Sequence, residues 1–490
     1  MMEFRYPPLT SAAKPSFFNS PFLWLIWIAL ATIFCLMFAW TVSPWYVHEG
    51  VDSAIFKIIG FGILEGKLPY RDLFDHKGPL IFYLNALGLA GGKTGLLLLH
   101  ILFLSVTLYL VYLTSCFFTS CRNAFWISLI SLLFWAIFIQ EGNQVEFFML
   151  PAIALSLYLA LRIYKDPNKI FGSYFIGFCF AWILLMRMSD AVMQVGGLFT
   201  GLCLYGLLKK RFKKTMLSIL WFLAGAATLI LPFVIYFATQ NALPEFWYGN
   251  FTFNYLYSKN AHHALYNYGN TNMLIFLLLS CILAVGKKKE LSYLYFIFVP
   301  VAALSYFLVG KYNFPHYYLI YMPLFALCTS LLCNKYYISL VLWILIAGCG
   351  FAHPGRNVRQ CTDFWVQQLQ RDKKTTKIYE EAGKLFACVP DNEKDDIWCY
   401  NVVSFGNGNM GIFPYHGIVP CNRFFCYWHL DTTTNLQETE SIENHYPKWV
   451  VVDDKESFPK GREYIEANYE LVFQADPSVC QLELYRLRQN

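Results

Sequence analysis

The sequence predicts a polytopic α-helical membrane protein with about eleven transmembrane helices and a small extracytoplasmic α/β domain at its C-terminal end. Of the 490 residues, 57% are hydrophobic, 19% are aromatic and only 14% are charged, a composition too apolar for a large soluble protein. Apolar runs of roughly 17–25 residues, each able to cross a bilayer, recur from Pro21 to about Ala352. After Pro354 the sequence changes abruptly to polar and charged residues, and no further run of that length follows.

This pattern divides the chain into three parts. Residues 1–20 are predicted to be a short cytoplasmic lead, and residues 21–353 a membrane domain. The first outer loop of that domain is 45–92, and residues 354–490 are predicted to form the extracytoplasmic α/β domain. The apolar run that begins at Pro21 is longer than a signal-peptide core and lacks a small-residue cleavage site, so it is interpreted as a permanent anchor.

The positions of the cations predict the orientation of the spans. Alternate connectors are short and basic; they contain Arg122, Lys165, Lys169, the KKRFKK run 209–214, the KKK run 287–289 and Lys335. Lys and Arg bias short loops to the cytoplasm, so the N-terminus is predicted inside and the C-terminal domain outside. An integral, multi-pass protein of a bacterial inner membrane fits, although the same sidedness would suit an endoplasmic reticulum lumen. The net charge of +6 is then a topology signal, and no nucleic-acid partner is expected.

The part beyond Pro354 carries short periodic elements. Amphipathic periodicity predicts a helix over Asn357–Val389, and β-rich runs (IWCYNVV, KWVVVDD, YELVFQAD, QLELYRL) alternate with turns and a short helix near Gly461–Asn468. Six of the fifteen cysteines lie here: Cys361, Cys388, Cys399, Cys421, Cys426 and Cys480. An oxidising face permits disulfides, but their pairing cannot be read from the sequence, and the spacing is not a convincing zinc pattern.

The first outer loop has an unusual mixture of residues. Between Glu49 and Pro79 it holds five acidic and five basic side chains among many apolar ones. Ionisable groups are expensive at membrane depth, so this segment is predicted to line an aqueous site or to contact a charged ligand. A solvated connector is the alternative, which the length and the apolar content of the segment disfavour.

The stretch from Val51 to Gly88 resembles the first outer loop of the GT-C class of membrane glycosyltransferases. It is most similar to bacterial relatives of the protein O-mannosyltransferases and to the lipid A aminoarabinose transferase. The shared element, G-x-x-P-Y-x-D-x-x-x-x-K-x-P-L, consists here of Gly66, Pro69, Tyr70, Asp72, Lys77, Pro79 and Leu80. The GNQVEFFMLP segment, the HYY motif and the outer C-terminal domain also resemble this class, so a GT-C-like fold is expected.

The resemblance implies transfer of a sugar from a polyprenyl-phosphate lipid to an acceptor hydroxyl, with inversion. The acceptor, a lipid, a glycan or a protein, must lose a proton as it attacks, and a positioned carboxylate base contributes roughly 10²–10⁴-fold. Asp52 is the candidate base and Glu49 the second choice; Asp52 is also placed to be a helix N-cap. The departing phosphate needs cations, for which Lys77 matches the family's basic position, with Arg71 and His76 as further candidates.

Other outer-face residues are weaker candidates for the site. Glu146 orients substrate in this interpretation, or is simply a carboxylate at a helix start. Arg187 can clamp a phosphate or pair with Asp190. The basic and aromatic element with Lys311 and His316 resembles one in the family, while an aromatic belt explains its tyrosines.

The sequence contains no strong pattern for a metal site. His262 and His263 are adjacent but lack a supporting acidic or cysteine pattern. No organic cofactor is predicted, and a divalent cation stays open because some members of the class use one.

Three other functions are alternatives to a glycosyltransferase. Transporters and flippases usually show interrupted helices with polar residues near the membrane midplane, whereas the polar residues here gather in outer loops. A polymerase of lipid-linked glycans also fits the pattern, as does a receptor-like module with a glycan-binding outer domain. Membrane lipids surround the protein in each case.

Overall fold

The structure, a computed structural model, describes residues 22–139, 142–260, 299–301, 303–304, 315–332, 358–400, 411–426, 429, 442–453 and 459–489. The helices up to residue 239 are α1 (Phe22–Phe38), α2 (Val51–Leu64), α3 (Pro79–Leu89), α4 (Gly92–Ser115), α5 (Cys121–Phe138), α6 (Val145–Lys165), α7 (Gly172–Leu184), α8 (Met188–Leu208) and α9 (Phe212–Thr239). Beyond them lie α10 (Leu243–Trp247), α11 (Phe253–Asn260), a 3-10 helix (Pro315–Tyr321), α12 (Met322–Leu332), α13 (Val358–Ala387), α14 (Ile412–Tyr415), α15 (Ile442–His445) and α16 (Pro459–Asn468).

The membrane part is a bundle of apolar helices. Within the described residues, four helices, α4, α6, α8 and α9, are long and apolar enough to cross a membrane, and α1, α3 and α7 are shorter apolar helices. In the most apolar stretch of α6, 72% is buried inside the structure, compared with only 17% in the corresponding stretch of α9. Helix α6 is therefore central and α9 peripheral. These helices agree with an α-helical protein of several spans, whereas the number eleven stays a prediction.

Close helix packing depends on two glycines. A side chain at Gly177 of α7 would collide with the backbone of Phe222, and one at Gly225 of α9 would collide with that of Tyr174. The two helices can approach this closely only because both positions lack a Cβ.

The first outer loop is folded rather than extended. Helix α2 buries most of its apolar side chains, and the turn before α3 joins the end of α7 through two backbone hydrogen bonds. Gly78 N donates to Met186 O at 2.8 Å, and Leu80 N donates to Leu185 O at 3.0 Å. This pairing brings the residues just before Gly78 close to those just after Met186.

The segment after α9 is helical from Leu243 to Asn260, with a π-helical turn at Tyr248–Thr252 between α10 and α11. Pro244 in the first turn suits a helix start. Phe246 and Phe253 are buried, and this apolar packing explains why the segment is ordered.

The C-terminal residues form helices around a four-stranded sheet. Its strands are β1 (Ile397–Tyr400), β2 (Trp449–Val452), β3 (Tyr469–Gln474) and β4 (Glu483–Leu487), in the order β1-β2-β4-β3. The pair β1–β2 is parallel, and β4 is antiparallel to both β2 and β3. The strands, α13 and α16 fall where the sequence patterns predicted them. The division of the chain into domains stays a prediction.

This C-terminal part contacts the first outer loop. Asp372 Oδ1 accepts hydrogen bonds from Val47 N at 2.7 Å and from His48 N at 3.1 Å. Farther along the loop, Phe74 N donates to Arg423 O at 2.9 Å. The loop therefore lies between the helical bundle and the C-terminal residues.

Candidate active site

Asp52 lies in the first turn of α2. The helix begins after Gly50, which is its N-cap residue, so Asp52 does not cap the helix. Its side chain is half-buried, and among the described residues it forms no hydrogen bond and no direct ion pair. A carboxylate in this state is available to accept a proton from a bound hydroxyl.

Lys77 is a buried cation within electrostatic reach of this carboxylate, with 9% of its surface exposed. Burial alone would lower the pKa of its ammonium, but the charges of Asp52 and Asp75 more than offset that effect and raise it. Lys77 Nζ lies 3.0 Å from His76 Nε2, and the Tyr70 hydroxyl donates to the Lys77 carbonyl at 2.8 Å. Lys77 is therefore a fixed positive charge at neutral pH.

Arg187 faces two buried carboxylates, each 1% exposed. Its Nη1 is 2.5 Å from Glu146 Oε1, and its Nη2 is 2.6 Å from Asp190 Oδ2. Burial opposes the charge of the guanidinium, but Asp190 and Glu146 raise its pKa. His316 Nε2 lies 4.0 Å from Glu146 Oε1. The predicted pairing of Arg187 with Asp190 is thus present, and one cation shared by two carboxylates has little charge left for a phosphate.

Tyr317, on the 3-10 helix Pro315–Tyr321, interacts both with Arg187 and with the pair of Lys77 and Asp52. The Arg187 guanidinium carbon lies 4.3 Å from the centre of its ring. The pKa of the phenol is raised, first by burial. Its hydroxyl is also within the electrostatic reach of Lys77 and Asp52. The first outer loop, the start of α8 and the 3-10 helix therefore converge on one site.

Glu49 belongs to a buried polar network behind Asp52. Its carboxylate forms an ion pair with Lys57 and accepts a hydrogen bond from Ser53 Oγ at 2.9 Å. Asn143 Nδ2 extends this network by donating to Ser53 Oγ at 3.0 Å and to Asn85 Oδ1 at 2.9 Å. Because its oxygens already have these partners, Glu49 is less suited than Asp52 to take a proton.

Asp75, His76 and His429 form a compact group of possible metal ligands. Asp75 Oδ1 is 3.1 Å from His76 Nδ1 and 3.2 Å from His429 Nε2, and the two nitrogens are 3.3 Å apart. Ligands bound to tetrahedral zinc at about 2.0–2.1 Å are separated by about 3.3 Å. Burial alone would raise the pKa of Asp75, but the two histidines hold it well below its usual range.

The protonation state of His76 also suits a ligand. Burial and the neighbouring Lys77 lower the pKa of its imidazole to about 4, so the ring is neutral near pH 7. A metal held by these three side chains would tie the first loop to residue 429.

Arg71 does not join the site. Its guanidinium pairs with Asp72, with Nε 2.9 Å from Oδ1 and Nη2 3.0 Å from Oδ2, and its side chain is 42% exposed. Lys311, predicted to act together with His316, lies outside the described residues, as do the weak metal candidates His262 and His263.

Sequence reasoning did not single out Tyr317, His429 or the role of Lys57. The signal for Lys57 was present, since a lysine between Phe56 and Ile58 on a helix is costly unless it is paired. His429 lies far along the chain from His76, so no local pattern could connect them.

Comparisons with known proteins bear on the fold. No protein-family model matches the sequence, and no curated protein matches it. The crystal structure of ArnT from Cupriavidus metallidurans bound to undecaprenyl phosphate matches at 10% identity, with a TM-score of 0.57, over 95% of this chain and 98% of the ArnT chain. ArnT is an aminoarabinose transferase of the GT-C class. The chain therefore resembles ArnT in fold, which confirms the GT-C-like fold expected from the first outer loop.

Proposed function

We propose that this protein is an inverting glycosyltransferase that moves a sugar from a polyprenyl-phosphate donor to an acceptor hydroxyl at the outer face of the membrane. The shared fold supports this proposal, because the ArnT structure holds undecaprenyl phosphate. The observation that carries it is the proximity of Asp52, a carboxylate without a hydrogen bond among the described residues, to Lys77, a buried ammonium. One group accepts a proton and the other receives the phosphate charge.

The reaction needs both groups at once. The acceptor oxygen attacks the anomeric carbon of the sugar while Asp52 takes the hydroxyl proton. The bond between that carbon and the phosphate oxygen breaks, and the electron pair leaves with the polyprenyl phosphate. Attack from the side opposite the leaving group inverts the anomeric configuration. Lys77 stabilises the new negative charge, which a fixed cation in a water-poor site does well.

Lys77 suits the phosphate better than Arg187 does. The guanidinium of Arg187 is already shared between Glu146 and Asp190, so bringing a phosphate to it adds a third anion. We assign to this cluster the positioning of the 3-10 helix through Tyr317, and with it the orientation of the acceptor.

Asp52→Asn tests the proposal. A chromosomal deletion is complemented with the wild type, with Asp52→Asn or with Asp72→Asn, and the glycolipids and glycans are compared by mass spectrometry. Asp52→Asn removes the base and should lower transfer by about a hundredfold or more. Asp72→Asn changes an acid of the same loop that pairs with Arg71 away from the site, and should leave transfer within a fewfold of wild type.

The proposal is wrong if Asp52→Asn restores the glycoconjugate as well as the wild type does. Movement of an unchanged lipid across proteoliposomes, with no glycosidic product, would instead indicate a flippase or transporter. Extension of one glycan by many identical units would indicate a polymerase.

A further inference from the structure

A second site lies at the opposite end of the bundle from Asp52. Helix α6 starts beside Arg187 with Glu146 and ends at Lys165, and its 21 residues span about 30 Å, roughly the thickness of the hydrocarbon core. At that far end a half-open cleft lies between α6, α8 and α9. Its lining includes Tyr164, Tyr205, Arg211, Lys214, Thr215 and Ser218.

Two cations stand at the edge of a mainly apolar cleft. Arg211 and Lys214 line it, and Lys209 and Lys213 are their neighbours in the sequence. Within the described residues neither Arg211 nor Lys214 forms an ion pair. Lys214 Nζ donates to the neutral amide oxygen of Asn168 at 2.8 Å. The nearby acid, Asp166, faces a different cation, with its Oδ2 3.9 Å from Lys169 Nζ.

A tight turn and two stacked rings shape this end of the bundle. Lys210 has a φ of +58°, a left-handed position that usually belongs to Gly. The turn closes with Arg211 N donating to Gly206 O at 2.9 Å. Tyr205 stacks on Tyr164 with ring centres 3.9 Å apart, and the Arg211 guanidinium lies 5.9 Å from the Tyr205 ring centre. The turn therefore sets the position of Arg211 at the cleft.

Next to the cleft, α9 presents an apolar surface. Met216 is 60% exposed and Leu220 is 58% exposed, while Thr215 and Ser218 on the other side of the helix are buried at the cleft. A molecule that fits both features has a negative group and long apolar chains. The cleft itself has a volume of about 30 Å³, against roughly 10–15 Å³ for one water. This is room for about two or three waters on the same measure, so only a small group of a ligand can enter the cleft.

We infer that this cleft binds the headgroup phosphate of an anionic phospholipid, such as a phosphatidylglycerol, from the leaflet opposite the Asp52 site. Arg211 and Lys214 hold the phosphate, and the acyl chains lie along the exposed face of α9. Basic pockets between membrane helices commonly bind anionic headgroups. This inference does not depend on the proposed transferase activity.

The test measures lipid binding directly. The full-length protein is reconstituted in phosphatidylcholine nanodiscs that contain some phosphatidylglycerol, and the lipids retained after mild extraction are counted by native mass spectrometry. Wild type should retain phosphatidylglycerol in preference to phosphatidylcholine. The double variant Arg211→Gln with Lys214→Gln loses two charges and should bind it more weakly, by about tenfold or more.

Two further variants are controls. The first tests whether any nearby positive charge is enough, and the second tests whether substitution at the two positions itself disturbs the protein. Lys169→Gln removes a cation of the same face that does not line the cleft, and should leave retention within about twofold of wild type. Arg211→Lys with Lys214→Arg keeps both charges and should restore retention. Size-exclusion chromatography checks that each variant is folded.

Any of three results overturns the inference. One is retention by the double glutamine variant that equals retention by wild type. Another is a loss of binding in Lys169→Gln as large as that in the double variant. The third is displacement of the lipid by inorganic phosphate at ordinary buffer concentrations, which would mean that the cleft takes a free anion and does not select a lipid.

Discussion

Glu49 and Asp52 are three positions apart in the sequence, yet their surroundings differ. Glu49 is 5% exposed and bound to Lys57 and Ser53, whereas Asp52 is half-buried and close to Lys77. The oxygens of Glu49 already have partners, whereas the carboxylate of Asp52 has no hydrogen bond among the described residues. The contacts, rather than the sequence positions, favour Asp52 as the base.

The pair Glu49–Lys57 gives a stability prediction. Lys57→Met leaves the Glu49 carboxylate buried without its partner, and we expect it to lower the free energy of unfolding by about 3–5 kcal/mol. Combining Glu49→Gln with Lys57→Met removes both charges and should recover most of that loss. Denaturant unfolding in detergent, monitored by circular dichroism, measures the double-mutant cycle. Strictly additive effects of the two changes would show that the pair is not coupled.

The group of Asp75, His76 and His429 gives a prediction about metal content. We expect the purified protein to carry about one transition-metal ion per chain, with zinc favoured by two imidazoles and one carboxylate. Elemental mass spectrometry should show that His429→Ala loses this metal. His416→Ala changes a histidine that bonds instead to the Tyr379 carbonyl at 2.9 Å, and should keep it. Wild-type protein without any bound metal, isolated in the absence of chelator, would contradict the prediction.

The turn before α3 sets the geometry of the site. A side chain at Gly78 would run into the carbonyl of Leu185, and Gly78 N is bonded to Met186 O at 2.8 Å. The turn can therefore stay on the end of α7 only without a Cβ. Since Lys77 and Arg187 flank this contact, their separation depends on it.

Gly78→Ala should displace the turn and lower transfer by about tenfold or more, because small misplacements at an active site are costly. Gly172→Ala is the matched control, since its Cβ meets only the side chains of Ile163 and Leu159. It should leave transfer close to wild type. Both are measured as glycoconjugate produced per amount of protein in membranes. Normal transfer by Gly78→Ala would show that the close approach has no part in positioning Lys77.

Helix α8 carries another local feature near the site. Its π-helical turn, Ala191–Gly196, follows directly after Asp190, and such turns occur frequently at functional sites. The extra residue in this turn sets the direction in which the start of α8 presents Arg187 and Asp190. Nothing in the local sequence indicated this turn.

The two ends of the bundle differ in chemistry. One end holds Asp52 and Lys77 beneath the C-terminal residues, and the other holds the basic turn Lys209–Lys214. The positive-inside rule predicts that the basic end lies in the cytoplasm. This orientation is a prediction that labelling can test.

Cys388 is a native probe of orientation, since it is exposed at the end of α13. A membrane-impermeant maleimide added to sealed right-side-out vesicles should label wild type but not Cys388→Ser at this position, as peptide mass spectrometry can show. A cysteine introduced by Lys213→Cys, on the exposed surface of the basic turn, should react only after the vesicles are opened. The reverse pattern would place the Asp52 site on the cytoplasmic side.

Several parts of the fold could be predicted because they depend on local patterns. Apolar length predicted α4 and α6, amphipathic periodicity predicted α13, and alternating β-rich runs predicted the strands. No local pattern pointed to the helical region after α9, where Phe246 and Phe253 are buried. Those side chains are buried by distant parts of the chain, which no local window contains.

Sequence patterns were enough to predict a helical membrane protein and a gathering of ionisable side chains in its first outer loop, because both follow from composition, spacing and charge along the chain. The choice of Asp52 and Lys77 as candidates rested on the resemblance of that loop to the GT-C class. The folded chain was needed to show that Glu49 is paired with Lys57, that Arg187 is shared between two carboxylates, and that His429 meets Asp75 and His76. Burial, ion pairing and pKa depend on residues that are far apart in the sequence and come together only on folding.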